Sequence, residues 1–121
     1  EITARRGYKD MRTNGALARV LGQHLTALGR HPRDTDDRVG SGSTDMGDVS
    51  HAVPSIHPWL AIVGEGEALC HQHAFAAAAA SEVGLDTMRD AARAMARTAA
   101  EFLSDKALRE DVAAEFRAAR D

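Results

Sequence analysis

The sequence predicts an α/β chain, mostly helical, with one or two buried strands and a sheet left incomplete within 121 residues. Three observations lead there. Helical spacing or helix-forming alanine covers four separate stretches, whereas only residues 59–63 make an unbroken apolar run of strand length. Alanine supplies the largest part of an apolar fraction of 44%, and aromatic residues only 4%, so each helix buries little area and the core is thin. A single strand also has nothing to pair with, and its partners are expected outside the chain.

Residues 1–12 read as a short extended piece ending in a charged turn. Over 14–28, Leu17, Val20, Leu21, Leu25 and Leu28 fall on one helical stripe with His24 beside it. Asn14 or Thr13 caps the start and Gly29 ends it. Residues 30–44 are rich in Arg, Asp, Gly and Ser and read as a loop. One or two helical turns are expected over 45–53, stopped by Pro54. Trp59, Leu60, Ala61, Ile62 and Val63 suit a strand covered on both faces. A flexible link at 64–67 leads to a helix starting near His71 or His73 and running through the alanine tract to about Val83, where Gly84 interrupts. In the next helix Leu85, Met88, Ala92, Met95, Ala99 and Phe102 recur every three or four residues, which predicts the buried face. Ser104 or Asp105 caps a last helix with Leu108, Val112 and Phe116 inside. Charged residues such as Arg89, Asp90, Arg93, Arg97, Glu110 and Glu115 read as solvated surface.

Composition narrows the function classes. A net charge of −3 with no basic stripe excludes a nucleic-acid binder. No run approaches the roughly 18 apolar residues of a membrane span. A single cysteine forms no internal disulfide, which fits a reducing compartment and a cytoplasmic location. Glu1-Ile2-Thr3-Ala4 reads like the end of a strand already under way, so the chain is expected to be the later part of a longer polypeptide; processing would explain the same start.

The chemistry concentrates between His51 and His73, which bound four of the six histidines. Ser43-Thr44-Asp45-Met46-Gly47-Asp48-Val49-Ser50-His51 and Val53-Pro54-Ser55-Ile56-His57-Pro58 are dense in Asp, His, Gly and Ser with little aliphatic filler. That composition suits a polar pocket wall or part of a metal site. Asp45 and Asp48 serve equally as ligands, as groups behind the ligands or as helix caps. His57 serves equally as a site residue or as a partner for a backbone carbonyl. His71, after a Gly-rich link and at a helix start, is a candidate metal ligand, since imidazole is the commonest one, but a single histidine taken bare reads first as a structural or solvent-exposed residue. Cys70 and His73 have a possible ligand spacing, yet a closed zinc site needs four donors and no second cysteine exists. A mononuclear site of Cys70, His71 and His73 rests on local spacing alone. Cys70 and His71 make a poor nucleophile and base, because sequence neighbours point apart.

These residues carry a resemblance. The Ser43–Ser50 block, the 53–58 block and His71-Gln72-His73-Ala74-Phe75 before an alanine-rich helix resemble the C-terminal part of the M-twenty family of metallopeptidases and amidohydrolases. The branch is that of the aminoacylases and p-aminobenzoyl-glutamate hydrolase, and the likeness covers nearly the whole chain. It implies an α/β catalytic domain with an inserted lid domain that often dimerises. Residues 1–12 would then be the end of the lid and the return segment, and 13–121 the C-terminal part of the catalytic domain. The implied cofactors are two divalent metal ions, zinc in most relatives. A Glu acts as general base on metal-bound water to cleave an amide of an N-acyl amino acid, a dipeptide or an aryl-glutamate. By position His71 is the last metal ligand, and Ser43, Thr44, Asp45 and His57 belong to the substrate-facing wall. The sequence departs from the pattern at Asp48 and Cys70, both commonly Asn, and at Gln72, commonly Thr. The family's His-x-Asp motif, bridging Asp and Glu-Glu pair are not in these residues, so no catalytic residue is assigned within them. The implied partners are a small amide or dipeptide substrate and either a second copy or the rest of the same polypeptide. The alternative is a non-catalytic helical binding or assembly module derived from such a hydrolase.

Overall fold

A computed structural model describes residues 7–33 and 44–119. Five helices follow one another: α1 (Gly15–Ala27), α2 (Met46–Ser50), α3 (His73–Ala79), α4 (Glu82–Ser104) and α5 (Lys106–Ala118). The core lies where α1 meets α4 and α5. One cluster joins Ala16 and Val20 of α1 to Leu108 and Val112 of α5, with Leu17 and Phe102 against it. A second joins Leu21 and Leu25 to Ala94 of α4, with Leu28, Ile56 and Leu60 packed on it.

Helix α1 forms for the reasons its sequence gives. Asn14 accepts a hydrogen bond from the Leu17 amide at 3.1 Å, which removes one unpaired donor from the first turn. At the other end Gly29 takes φ +80°. Its amide donates to the Thr26 carbonyl and the Arg30 amide to Leu25, the bond pair of a Schellman stop. Asp105 ends α4 and starts α5, donating its amide to Glu101 while its carboxylate accepts from the amides of Ala107 and Leu108.

Three expectations are overturned. Among the described residues there is no strand, only an isolated parallel bridge between Thr13 and Ser55. The run at 59–63 is irregular and Trp59 is 66% exposed, because an apolar strand needs a neighbour to pair with and none is in reach. The alanine helix stops at Ala79, and Gly84 lies inside the first turn of α4 rather than interrupting it. Ser81 caps α4 through the Gly84 amide, and a Cβ on Gly84 would overlap the Ala78 and Ala79 carbonyls. Only glycine lets α3 turn this tightly onto α4. Third, α4 buries Gly84, Thr87, Ala94 and Thr98, while Leu85, Met88 and Met95 are exposed. Small residues let α1 approach closely, and the leucines of α1 supply the bulk.

Candidate functional site

The block from Thr44 to His57 is held by residues 9–14. Gly47 packs directly on it, and a Cβ there would overlap the Lys9 carbonyl oxygen. Ser50 has no exposed surface; its hydroxyl donates to the Gly47 carbonyl at 2.7 Å and accepts from the Arg12 amide at 2.9 Å. Asp48 accepts from the Lys9 amide at 3.3 Å. The His51 Nε2 lies 3.1 Å from the Asp10 carbonyl and 3.3 Å from its carboxylate. Two acceptor oxygens at one nitrogen require the proton on Nε2. Asn14 completes the junction: its amide donates to the Ser55 carbonyl and its side-chain amide to the Val112 carbonyl, at 2.9 and 3.0 Å. Gly47, Asp48, Ser50 and His51 are thus joints between segments.

The predicted site residues fare differently from one another. Ser43 lies outside the described residues. Thr44 turns its hydroxyl into α2, accepting from the Met46 amide at 3.3 Å. Asp45 is exposed and its carboxylate makes no cap bond to α2. His57 is exposed and meets Trp59 edge-on, with ring centroids 5.6 Å apart at 62°. His71 is exposed as well, with φ 71°, the one non-glycine residue with positive φ among those described. Its turn is fixed from both sides by Gln72, whose amide donates to the Leu69 carbonyl at 3.2 Å and whose side-chain oxygen accepts from the Leu69 amide at 3.0 Å. His71 therefore stands at the third position of a β-turn, where a positive φ normally calls for Gly or Asn. Holding a histidine there costs about 1 kcal/mol, and such backbone outliers cluster at functional sites.

No group of three or more His, Cys, Asp or Glu side chains among the described residues is arranged to hold a metal ion. Cys70, His71 and His73 are all exposed and do not converge into a mononuclear site. A pair of divalent ions does not fit the donors that these residues bring together. The cavity between Arg12, Asn14 and Phe116 holds about 40 Å³, room for water rather than substrate.

Sequence reasoning missed the polar contacts that fix the frame around the site. Glu115, read as surface, accepts from the Gly15 and Ala16 amides at 2.6 and 2.9 Å and so caps α1 from α5. Arg30 donates to Asp90 at 3.0 and 3.1 Å and to the Thr87 hydroxyl at 3.0 Å. His24 meets Glu101 at 3.0 Å. All three contacts join α1 or its C-terminal loop to α4 or α5. The only local signal is that Arg30 follows a Gly stop and His24 flanks the buried stripe.

No family model matches the chain, and no solved structure matches it. A partial match connects it to a hydrolase: the chain is 44% identical over 78 residues to the Xaa-Arg dipeptidase of Mus musculus. The aligned stretch takes in 64% of this chain and 17% of the mouse protein. The chain is therefore similar to a short part of a dipeptidase.

Proposed function

We propose that the chain is the C-terminal segment of a di-metal amidohydrolase of the M-twenty type, in the aminoacylase-like branch, whose remaining donors and general base are on other residues. The observation that carries this is the 44% identity over 78 residues to a dipeptidase. The substrate class that follows is the amide of an N-acyl amino acid, a dipeptide or an aryl-glutamate. His71 supplies one imidazole to a divalent ion, and its turn supports that role: the Gln72–Leu69 bonds fix the backbone around an exposed His71. A metal centre of this class supplies a polarised carbonyl and an activated water. The residues of this chain orient and enclose: Asp45 and His57 present exposed polar groups to substrate, and Thr44 shapes the turn that carries Asp45. No hydrolytic step is assigned to these residues.

The test uses the polypeptide that the gene encodes. Amide hydrolysis of a dipeptide panel is expected, and His71→Ala should lower turnover by at least 100-fold while the far-ultraviolet dichroism stays unchanged. Equal turnover in wild type and His71→Ala would remove the ligand assignment.

A further inference from the structure

Two turns in the segment before α3 are built alike. In the first, residues 64–67, the Glu67 amide donates to the Gly64 carbonyl at 3.2 Å, and the Glu67 carboxylate accepts from the Gly64 amide at 2.9 Å. In the second, residues 69–72, Gln72 does the same for Leu69, at 3.2 and 3.0 Å. The fourth residue clasps the first through backbone and side chain together. The third residue takes a positive φ in both turns, 81° at Gly66 and 71° at His71. Glycine enters that region freely, whereas a residue with a Cβ is disfavoured there. Something must therefore hold His71 that Gly66 does not need.

Packing does not supply it, because residues 69–74 are exposed and α3 buries no residue. Among the described residues, Gln72 is the one whose side chain bonds to the backbone of 69–72. Its acceptor must be the amide oxygen, since the partner is an N–H. That oxygen is withheld from the helix that follows. Gln72 occupies the N-cap of α3, yet no side-chain bond caps α3. Ser, Thr, Asp or Asn is the usual residue for a helix start. The side chain at 72 thus serves the turn and not the helix.

We infer that Gln72 is a positioning residue for His71: the bond from the Leu69 amide to its side-chain oxygen keeps position 71 in the left-handed region and so fixes the backbone from which the imidazole departs. What the imidazole is used for rests on the functional reading above; the clasp does not. A carboxylate makes the same bond in the turn at 64–67, so glutamate is the conservative replacement.

Nuclear magnetic resonance on the labelled encoded polypeptide tests this. A positive φ brings the amide and α protons of one residue close, so the cross-peak between them at position 71 should be strong in wild type. Gln72→Ala should weaken it and speed exchange of the Leu69 amide about tenfold. Gln72→Glu, which keeps the acceptor, should restore both. An alanine variant with the wild-type cross-peak and exchange would overturn the inference. Gln72→Thr separates turn from helix: its hydroxyl suits an N-cap but is held close to the backbone, so at 69 and 71 it should behave as alanine. Wild-type signals with threonine would show that the side chain acts as a helix start, and would overturn the inference too. Metal content separates the clasp from the hydrolase reading. Clasp signals in a wild type without bound metal keep Gln72 in its role at the turn and remove that reading, and bound metal with signals unmoved by Gln72→Ala does the reverse.

Discussion

In the bundle, the side-chain hydrogen bonds that tie α1 and its flanking residues to α4 and α5 join residues 57 to 100 positions apart, as in Arg30 to Thr87 and Gly15 to Glu115. Between residues 53 and 72 they join residues two or three positions apart, as at Ser55, Gly64 and Leu69. The bundle is held by contacts that exist only when the whole chain is folded. The segment around His57 and His71 is shaped by its own turns and rides on the bundle. That difference suits a polar wall whose rigidity is completed by something outside it.

Substitutions in the two regions should therefore differ sharply in free energy. Leu21→Ala removes the larger part of a side chain that is 4% exposed between α1 and α4. A loss of about 3 kcal/mol is expected in urea unfolding; a loss under about 1 kcal/mol would mean that this cluster is not the core. Asn14→Ala takes away the α1 cap and the side-chain bond that ties it to the Val112 carbonyl, and about 2 kcal/mol should go with it. Glu115→Ala leaves the Gly15 and Ala16 amides without their carboxylate and should cost about 1 kcal/mol, of which Gln, with one acceptor oxygen in place of two, restores only part. Trp59→Ala, on the loop side, should change unfolding by less than about 0.5 kcal/mol in this chain. A larger loss would show that the irregular run is part of the bundle after all. His71→Gly should raise stability by up to about 1 kcal/mol, since glycine takes a positive φ without strain. A drop in stability would mean that the His71 ring packs in a way the turn does not require.

The frame was legible in sequence where one side chain announces one role. Asn14 before a Leu stripe, Gly29 after it, and Asp105 ahead of Leu108 and Val112 placed α1 and α5 within a residue or two. Helix α4 was legible as a helix but not by its buried face. Leu85, Met88 and Met95 carry the hydrophobic signal, yet Ala94 packs on the α1 leucines and Thr87 and Thr98 are buried, because closeness of approach, not bulk, decides which side of α4 fits. The run at 59–63 has strand composition, and composition cannot supply the neighbour that makes a strand. The cap from Glu115 was invisible for a similar reason. Its meaning depends on α5 lying across the start of α1, a tertiary fact with no local trace. At the site, Gly47 and Ser50 drew attention for polarity and turned out to be joints, whereas His71 stands in a turn whose backbone is unusual for histidine.

Metal analysis by plasma mass spectrometry on the encoded polypeptide, wild type against His71→Ala, reaches the central claim in one step. The account predicts about two divalent ions per wild-type chain and at least one fewer in the variant. Equal metal content in the two proteins would contradict the claim that the imidazole at position 71 is a ligand.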